Sequence, residues 1–273
     1  MEYYSVSLTK PNEGGPCEDA SYAGEGCVAV SDGAGGCGIF ADEWAQYLIS
    51  KLPKTEPIAT FAQFDQWVDS IYEAFYDVHE QQARATDPSM LLSKFYSEGS
   101  CATLAAAWVQ PDGVRWMAYG DSVVFSYHPQ SGRLEYSPIR LAQFSQPPHL
   151  VSCSEPLEEE AFHSGVFQKD EEALVFAASD ALSHYIIMMY QLAHPADNAE
   201  ELEEERRSGT INAQLLQVAE NLPSIDFDAC LRQLMEKARE RGTFCQLTGQ
   251  LYADRLLDSD DYSLAVATKE RPE

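Results

Sequence analysis

Single carboxylates recur at the tips of short apolar runs. Asp32 follows Val28-Ala29-Val30-Ser31, Asp121 follows Trp116-Met117-Ala118-Tyr119-Gly120, Asp180 follows Leu174-Val175-Phe176-Ala177-Ala178-Ser179, and Asp260-Asp261 immediately precede Tyr262-Ser263-Leu264-Ala265-Val266. Any one of these is an ordinary helix cap or turn residue, since Asp favours both places. The repetition carries more weight. If the runs are antiparallel strands, the C-terminal end of one lies beside the N-terminal end of the next, so acids after some strands and before others meet at one edge. Four or more carboxylates at one edge cannot all stay ionised without a cation, and an all-oxygen donor set selects Mg²⁺ or Mn²⁺ over zinc. Glu18-Asp19, one strand before Asp32, join the same set.

The elements that must position these acids are short strands at Gly26–Val30, Ala102–Val109, Val114–Tyr119, Val123–Tyr127, Ala173–Ala178 and Tyr262–Ala267,. Helical spacing runs through Phe61, Phe64, Trp67, Ile71, Phe75 and Val78, and again through Phe227, Cys230, Leu231, Leu234, Met235 and Ala238, with Arg241-Gly242 as a stop,. Shorter helices are expected at Asp42–Leu52, Leu182–Leu192 and Ile211–Leu222. The three residues Gly120-Asp121-Ser122 fit a connection between consecutive antiparallel strands, and antiparallel sheet with helices means an α+β fold,. Ser145–Glu160 and the glutamate-rich Pro195–Gly209 read as surface insertions, solvated acidic faces within a single domain spanning 1–273,.

Gly33, Gly35 and Gly38 satisfy G-x-G-x-x-G between a strand and a helix, which raises a dinucleotide site,. Two features oppose it. Asp32 would face the pyrophosphate, and the stretch about 20 residues on, where a second strand and a ribose-binding acid belong, runs into the Phe61 helix instead,.

Composition narrows the function classes. With 45% hydrophobic and 11% aromatic residues the 273-residue chain has material for a core, which excludes wholesale disorder,. Eighteen Lys and Arg against 44 Asp and Glu leave a net charge of −26, a field that repels nucleic acid and anionic membranes,. The seven cysteines contain no C-x-x-C pair, the N-terminus has no signal-peptide pattern, and no apolar run approaches the ~20 residues of a membrane span,. The sequence reads as cytoplasmic and reduced.

Six short blocks, in order and at fitting separations between about Tyr4 and Thr268, make the chain resemble the metal-dependent PP2C-like (PPM) protein serine/threonine phosphatases of bacterial type. They are Cys17-Glu18-Asp19-Ala20, Val30-Ser31-Asp32-Gly33-Ala34-Gly35-Gly36, Gly99-Ser100-Cys101-Ala102-Thr103, Gly120-Asp121-Ser122, Ser179-Asp180-Ala181-Leu182 and Asp260-Asp261-Tyr262-Ser263. The resemblance implies a four-layer α-β-β-α sandwich with two Mn²⁺ or Mg²⁺ ions at one edge. It implies Asp32 as the carboxylate bridging both ions, Gly33 as a backbone carbonyl ligand, Asp180 and Asp260 as acids completing one shell, Glu18 as the acid near the other ion, Asp19 behind it, and Asp121 toward a weaker third ion. Asp32, Asp180 and Asp260 are then the catalytic set. The implied substrate is a phosphoserine or phosphothreonine protein, attacked by hydroxide bridging the two ions, with a monomeric enzyme and a variable flap within 145–210. Water so placed is acidified toward neutrality and needs no protein nucleophile.

Departures from the family pattern support an alternative, a pseudophosphatase that binds metal and acts as a regulatory module. Gly14 stands where many members carry a phosphate-gripping arginine, and the nearest upstream cation is Lys10; Val123, Ala181, Asp261 and Cys37 replace a basic residue, a glycine, an asparagine and a histidine. His184, one helical turn after Asp180, is placed for a general acid, although a core histidine is the weightier reading,.

Overall fold

The computed structural model describes residues 1–11, 14–168, 170 and 172–269. These residues form twelve strands: β1 Glu2–Leu8, β2 Ala20–Gly24, β3 Cys27–Ser31, β4 Cys101–Ala102, β5 Leu104–Gln110, β6 Gly113–Tyr119, β7 Val123–His128, β8 Arg133–Tyr136, β9 Val151–Ser152, β10 Phe162–Phe167, β11 Leu174–Ala178 and β12 Tyr262–Thr268. The α-helices are α1 Ala41–Lys51, α2 Phe61–Thr86, α3 Leu91–Glu98, α4 Asp180–Ala193, α5 Ala199–Ser208, α6 Ile211–Glu220, α7 Phe227–Lys237 and α8 Arg241–Ala253. One sheet has the order β1-β12-β11-β7-β8 and the other β10-β6-β5-β3-β2, while β4 and β9 form a small ribbon. Every strand pair is antiparallel.

The period-two alternation of the strands sorts side chains into three cores. Val28, Val30, Ala105, Ala107, Val175, Ala177, Ala265 and Ala267 point between the sheets, where small side chains let two pleated surfaces approach,. The intervening Ala29, Leu104, Ala106 and Trp108 face outward onto Trp44 and Leu48 of α1, Phe64 and Phe75 of α2 and Phe95 of α3. On the other side Phe125, Phe176, Leu264 and Val266 meet helices α4 to α8 through Leu182, Ile186, Leu216, Leu231 and Phe244. The result is the expected α-β-β-α layering. The longest helix begins at a capping box, with the Thr60 hydroxyl accepting the Gln63 N–H and the Gln63 side chain accepting the Thr60 N–H,.

Several expectations from the sequence are corrected. β6 and β7 are consecutive but do not pair: Gly120-Asp121-Ser122 carries the chain from one sheet to the other. Gly120 has φ +95°, and a Cβ there would lie 2.7 Å from Thr103 and 2.8 Å from the His149 carbonyl, so this corner requires glycine,. The run 102–109 is broken at Thr103, which is taken up by the site below. Arg241-Gly242 does not stop a helix; α7 has already ended, and α8 starts there. The segment 145–160 is not wholly peripheral, because β9 pairs with β4 and the Val151 carbonyl accepts the Trp44 indole N–H at 2.8 Å. Within 195–209, α5 buries Leu202 and Glu205. With no parallel strand pair among the described residues there is no βαβ unit, and the dinucleotide reading is withdrawn,.

Candidate metal centre

Antiparallel order brings the acids to one end of the sandwich. β3, β6 and β11 finish there and β2, β7 and β12 begin there, as the pairings Ala20↔Ser31, Ala178↔Val123 and Ala178↔Leu264 require. Asp19 precedes β2, Asp32 follows β3, Asp121 sits at the corner between the sheets, Asp180 opens α4 and Asp260 precedes β12.

The backbone beneath them is cross-stitched. Thr103 donates its N–H to the Asp32 carbonyl at 2.8 Å, and its hydroxyl lies 3.3 Å from the Asp32 nitrogen and 2.7 Å from the Ser122 hydroxyl. Ser31 donates its hydroxyl to the Thr103 carbonyl at 2.7 Å. The Ser179 hydroxyl accepts the Ser263 N–H at 3.0 Å, tying the turn of Asp180 to that of Asp260. Gly33 and Gly35 permit close approach: a Cβ on Gly33 would fall 2.5 Å from the Glu18 carbonyl, and one on Gly35 would fall 2.1 Å from a Glu18 carboxylate oxygen,. The Gly33 carbonyl accepts the Gly35 N–H at 3.1 Å and keeps a second lone pair,.

Electrostatics show how tightly the acids crowd. Burial, and then the charges of Asp19, Asp180, Asp121 and Asp260, push the Asp32 carboxyl well above the usual range. Asp180 is raised likewise by burial and then by Asp121, Asp260 and Asp19. Burial lifts Asp121 to about 6, with Asp260 adding to the effect. Burial takes Asp19 to about 7, and neither of its buried oxygens makes a hydrogen bond of good geometry, although Ser179, Ser263 and Asp32 stand close enough to moderate the shift. Glu18 and Asp260 are raised by burial and lowered by the nearby Lys10 ammonium.

Five aspartates and a glutamate linked through one another's charges, with an unsatisfied buried carboxylate among them, have the donor chemistry of a hard-cation site,. Among the described residues no three His, Cys, Asp or Glu side chains form a ready-made ligand set, so the acids border a common edge without converging on one point.

Comparison with solved structures gives the architecture a counterpart. The chain aligns over 98% of its length with 97% of the catalytic domain of the serine threonine protein phosphatase PstP in complex with two manganese ions, at a TM-score of 0.52 and 16% identity. A bacterial serine phosphatase aligns over 100% of this chain and 99% of its own, at a TM-score of 0.50 and 12% identity. The chain has the PP2C-like fold. At such identities the likeness is one of fold. No protein-family model and no curated protein sequence matches the chain.

Within this PP2C-like frame, all seven positions singled out in the sequence, Glu18, Asp19, Asp32, Gly33, Asp121, Asp180 and Asp260, fall at the same edge. His184 does not join them. It is buried, burial holds its imidazole down to about 4, its Nε2 has no partner, and its ring stands edge-on to Phe144 at 5.6 Å. A neutral ring with no carboxylate to orient it is a core residue.

Three further residues of the edge were given no role at it from the sequence. Asp261 is 3% exposed and accepts the Lys10 N–H at 2.7 Å and the Glu18 N–H at 2.5 Å. Asp260, in the bend before β12, stays half-exposed, while Asp261 is buried and clamps both ends of the β1–β2 connection. Lys10 lies two residues past β1 and places its Nζ 3.6 Å from Asp260 Oδ1. Asp42, the second residue of α1, adds its charge to Glu18. The signal for Asp261 was the doubled acid itself and for Lys10 its place as the nearest cation upstream of Gly14; Asp42 had none without the fold.

Proposed function

We propose that the chain is a metal-dependent protein phosphatase that hydrolyses phosphoserine or phosphothreonine and acts as a cytoplasmic monomer. The observation that supports it most is the gathering of six acids from both sheets at one edge of a PP2C-like fold. Asp32 would be held in common by a pair of ions, Asp180 and Asp260 would serve one of them and Glu18 the other, and Gly33 would lend its backbone carbonyl. Asp121 would serve a weaker third ion. When bound, two Mn²⁺ or Mg²⁺ ions supply an acidified water for in-line attack on phosphorus and neutralise phosphoryl charge.

The chain's own groups do the rest. Burial of Asp32 and Asp180 strengthens their hold on a cation by removing competing water. Asp19, behind Asp32, is raised by burial, so a cation bound beside it would favour its ionised form,. Among the described residues no helix is long and apolar enough to cross a membrane, and all seven cysteines are free, in keeping with a reduced compartment,.

Gly14 favours the second reading, a metal-binding regulatory module, because it is exposed and offers a phosphate no side chain. Hydrolysis of p-nitrophenyl phosphate and of a phosphothreonine peptide, with Mn²⁺ and with EDTA, decides between the two. Mn²⁺-dependent turnover is the expected result; metal uptake without turnover would replace the enzyme by the binding module.

A further inference from the structure

The loop after Asp32 carries an exposed thiol, Cys37, and hydrogen bonds hold that loop against a strand that carries a buried one, Cys101. Gly33 bridges Ala102, and the Ala34 N–H donates to the Cys101 carbonyl at 2.9 Å. A short 3₁₀ turn at Gly35–Cys37 follows, closed by the Cys37 N–H on the Ala34 carbonyl at 3.0 Å. The Ile39 N–H then donates to the Gly99 carbonyl at 3.0 Å, and the Ser100 hydroxyl donates to the Ile39 carbonyl at 2.5 Å. Gly38 lies so near that a Cβ on it would stand 2.7 Å from the Gly99 oxygen and 3.3 Å from the Ser100 Cα. The loop is sewn to residues 99–102 on both sides of Cys37, and antiparallel order returns Cys37 to the level of Cys101. Facing residues of antiparallel chains have Cα atoms about 4.5–5.5 Å apart, within the roughly 4.4–6.8 Å that a disulfide spans.

The two thiols differ in access. Cys37 is open to solvent, whereas Cys101 is 8% exposed. Burial pushes the Cys101 thiol up to about 11, and the charges of Cys153 and Cys37 add to the effect, so an oxidant meets Cys37 first,. Cys153 is the other sulfur nearby, but it is shut in the core and its Sγ already accepts the Ser100 N–H at 3.2 Å.

We infer that Cys37 and Cys101 form a reversible, peroxide-sensitive disulfide that weakens the ion site when it closes. The Cys37 thiolate attacks one oxygen of hydrogen peroxide; the O–O bond breaks, hydroxide leaves and becomes water with the proton Cys37 gave up, and Cys37 is left as a sulfenic acid. The Cys101 sulfur then attacks the Cys37 sulfur; the S–O bond breaks, and hydroxide departs as water with the Cys101 proton. One peroxide and two thiols give one disulfide and two waters, with two electrons passing from sulfur to oxygen. The effect on ions rests on the metal-site reading above. A Cβ on Gly35, within the same turn, would fall 2.1 Å from a Glu18 carboxylate oxygen, so a bond that draws the turn toward β4 displaces Glu18 and strains the Gly33 carbonyl.

The test treats the full, reduced chain with about one equivalent of hydrogen peroxide near pH 7.5, beside Cys37→Ser, an exposed position that leaves the core untouched,. Thiols counted in denaturant should fall from seven to five, peptide mapping should join Cys37 to Cys101, and dithiothreitol should restore all seven. Isothermal titration should show Mn²⁺ affinity about tenfold weaker in the oxidised chain and recovered on reduction. Cys37→Ser should keep its remaining thiols and its Mn²⁺ affinity under the same treatment. Seven thiols that survive peroxide, a link from Cys101 to Cys153, equal thiol loss in Cys37→Ser, or a Cys37–Cys101 link that leaves Mn²⁺ affinity unchanged would each overturn the inference. A link that forms in a chain taking up no Mn²⁺ in either state supports the disulfide and removes the metal-site reading instead.

Discussion

The two ends of the sandwich treat the same excess of acid in opposite ways. At the end where β12 finishes, carboxylates are matched by cations: Arg239 pairs with Glu2, Lys269 with Glu172, and Arg115 with Asp112. His128, 8% exposed, is held between Asp170 and Glu135 at 2.8 Å from each, and Arg133 also reaches Glu135. At the end where β12 begins, six acids crowd together, and Lys10 moderates two of them, Glu18 and Asp260. One end is finished by side chains. The other leaves most of its buried carboxyls without a matching cation, which costs stability when no ion is bound,.

The sharpest break in that symmetry comes from neutralising an acid at each end. Asp32→Asn or Asp180→Asn should lower Mn²⁺-dependent turnover of p-nitrophenyl phosphate about 10³-fold or more. In EDTA the same substitutions should raise the melting temperature, because they remove a charge that burial and its neighbours disfavour,. Asp261 is the exception within the edge: it is occupied by two backbone amides, so Asp261→Ala should destabilise by about 2–4 kcal/mol in urea titrations, with or without metal,.

Stability against pH should also differ in sign between the ends. In the unfolded chain Asp19 and Asp121 titrate at 3.8; folded, they rise to about 7 and about 6. Between those values the metal-free folded state holds protons that the unfolded state has released, so stability is fullest below pH 4 for these two groups and declines up to about pH 7,. Saturating Mn²⁺, which requires the ionised forms, should reverse that slope in chemical-denaturation curves measured from pH 4.5 to 7.5. Asp170 goes the other way. The His128 hydrogen bond lowers it, so its contribution is present above pH 3.8 and is lost as acid titrates it,. The smallest effects belong to the finished end: Glu135→Gln should cost about 1 kcal/mol, and Glu172→Gln, in an exposed pair, between about 0 and 1 kcal/mol, with turnover unchanged in both,.

Much of this was legible in the sequence because the strands that carry the acids are among the most apolar in the chain. Cys27–Ser31, Leu174–Ala178 and Tyr262–Thr268 bury nearly every residue, so their ends and the acids beyond them stand out. β1 did not, since Glu-Tyr-Tyr-Ser-Val-Ser-Leu mixes polar and apolar residues on a half-exposed strand, and with it went the place of Lys10. β10 was hidden for the same reason: Phe-His-Ser-Gly-Val-Phe lies at a sheet edge. The turn at Gly120 announced a reversal but not its destination, because a three-residue corner serves a hairpin and a step between sheets equally well until the partners are known. Helix α8 was concealed by Gly242 in its first turn, a residue that reads as a stop when no tertiary partner is in view,.

The central claim is that the carboxylates left unpaired at one end exist to hold divalent cations. Isothermal titration of Mn²⁺ into the metal-stripped chain near pH 7.5, beside Asp32→Asn, tests it most directly. The account predicts uptake of about two ions per chain and at least a tenfold loss of affinity on substitution. No uptake by the wild type, or equal uptake by the variant, would contradict it.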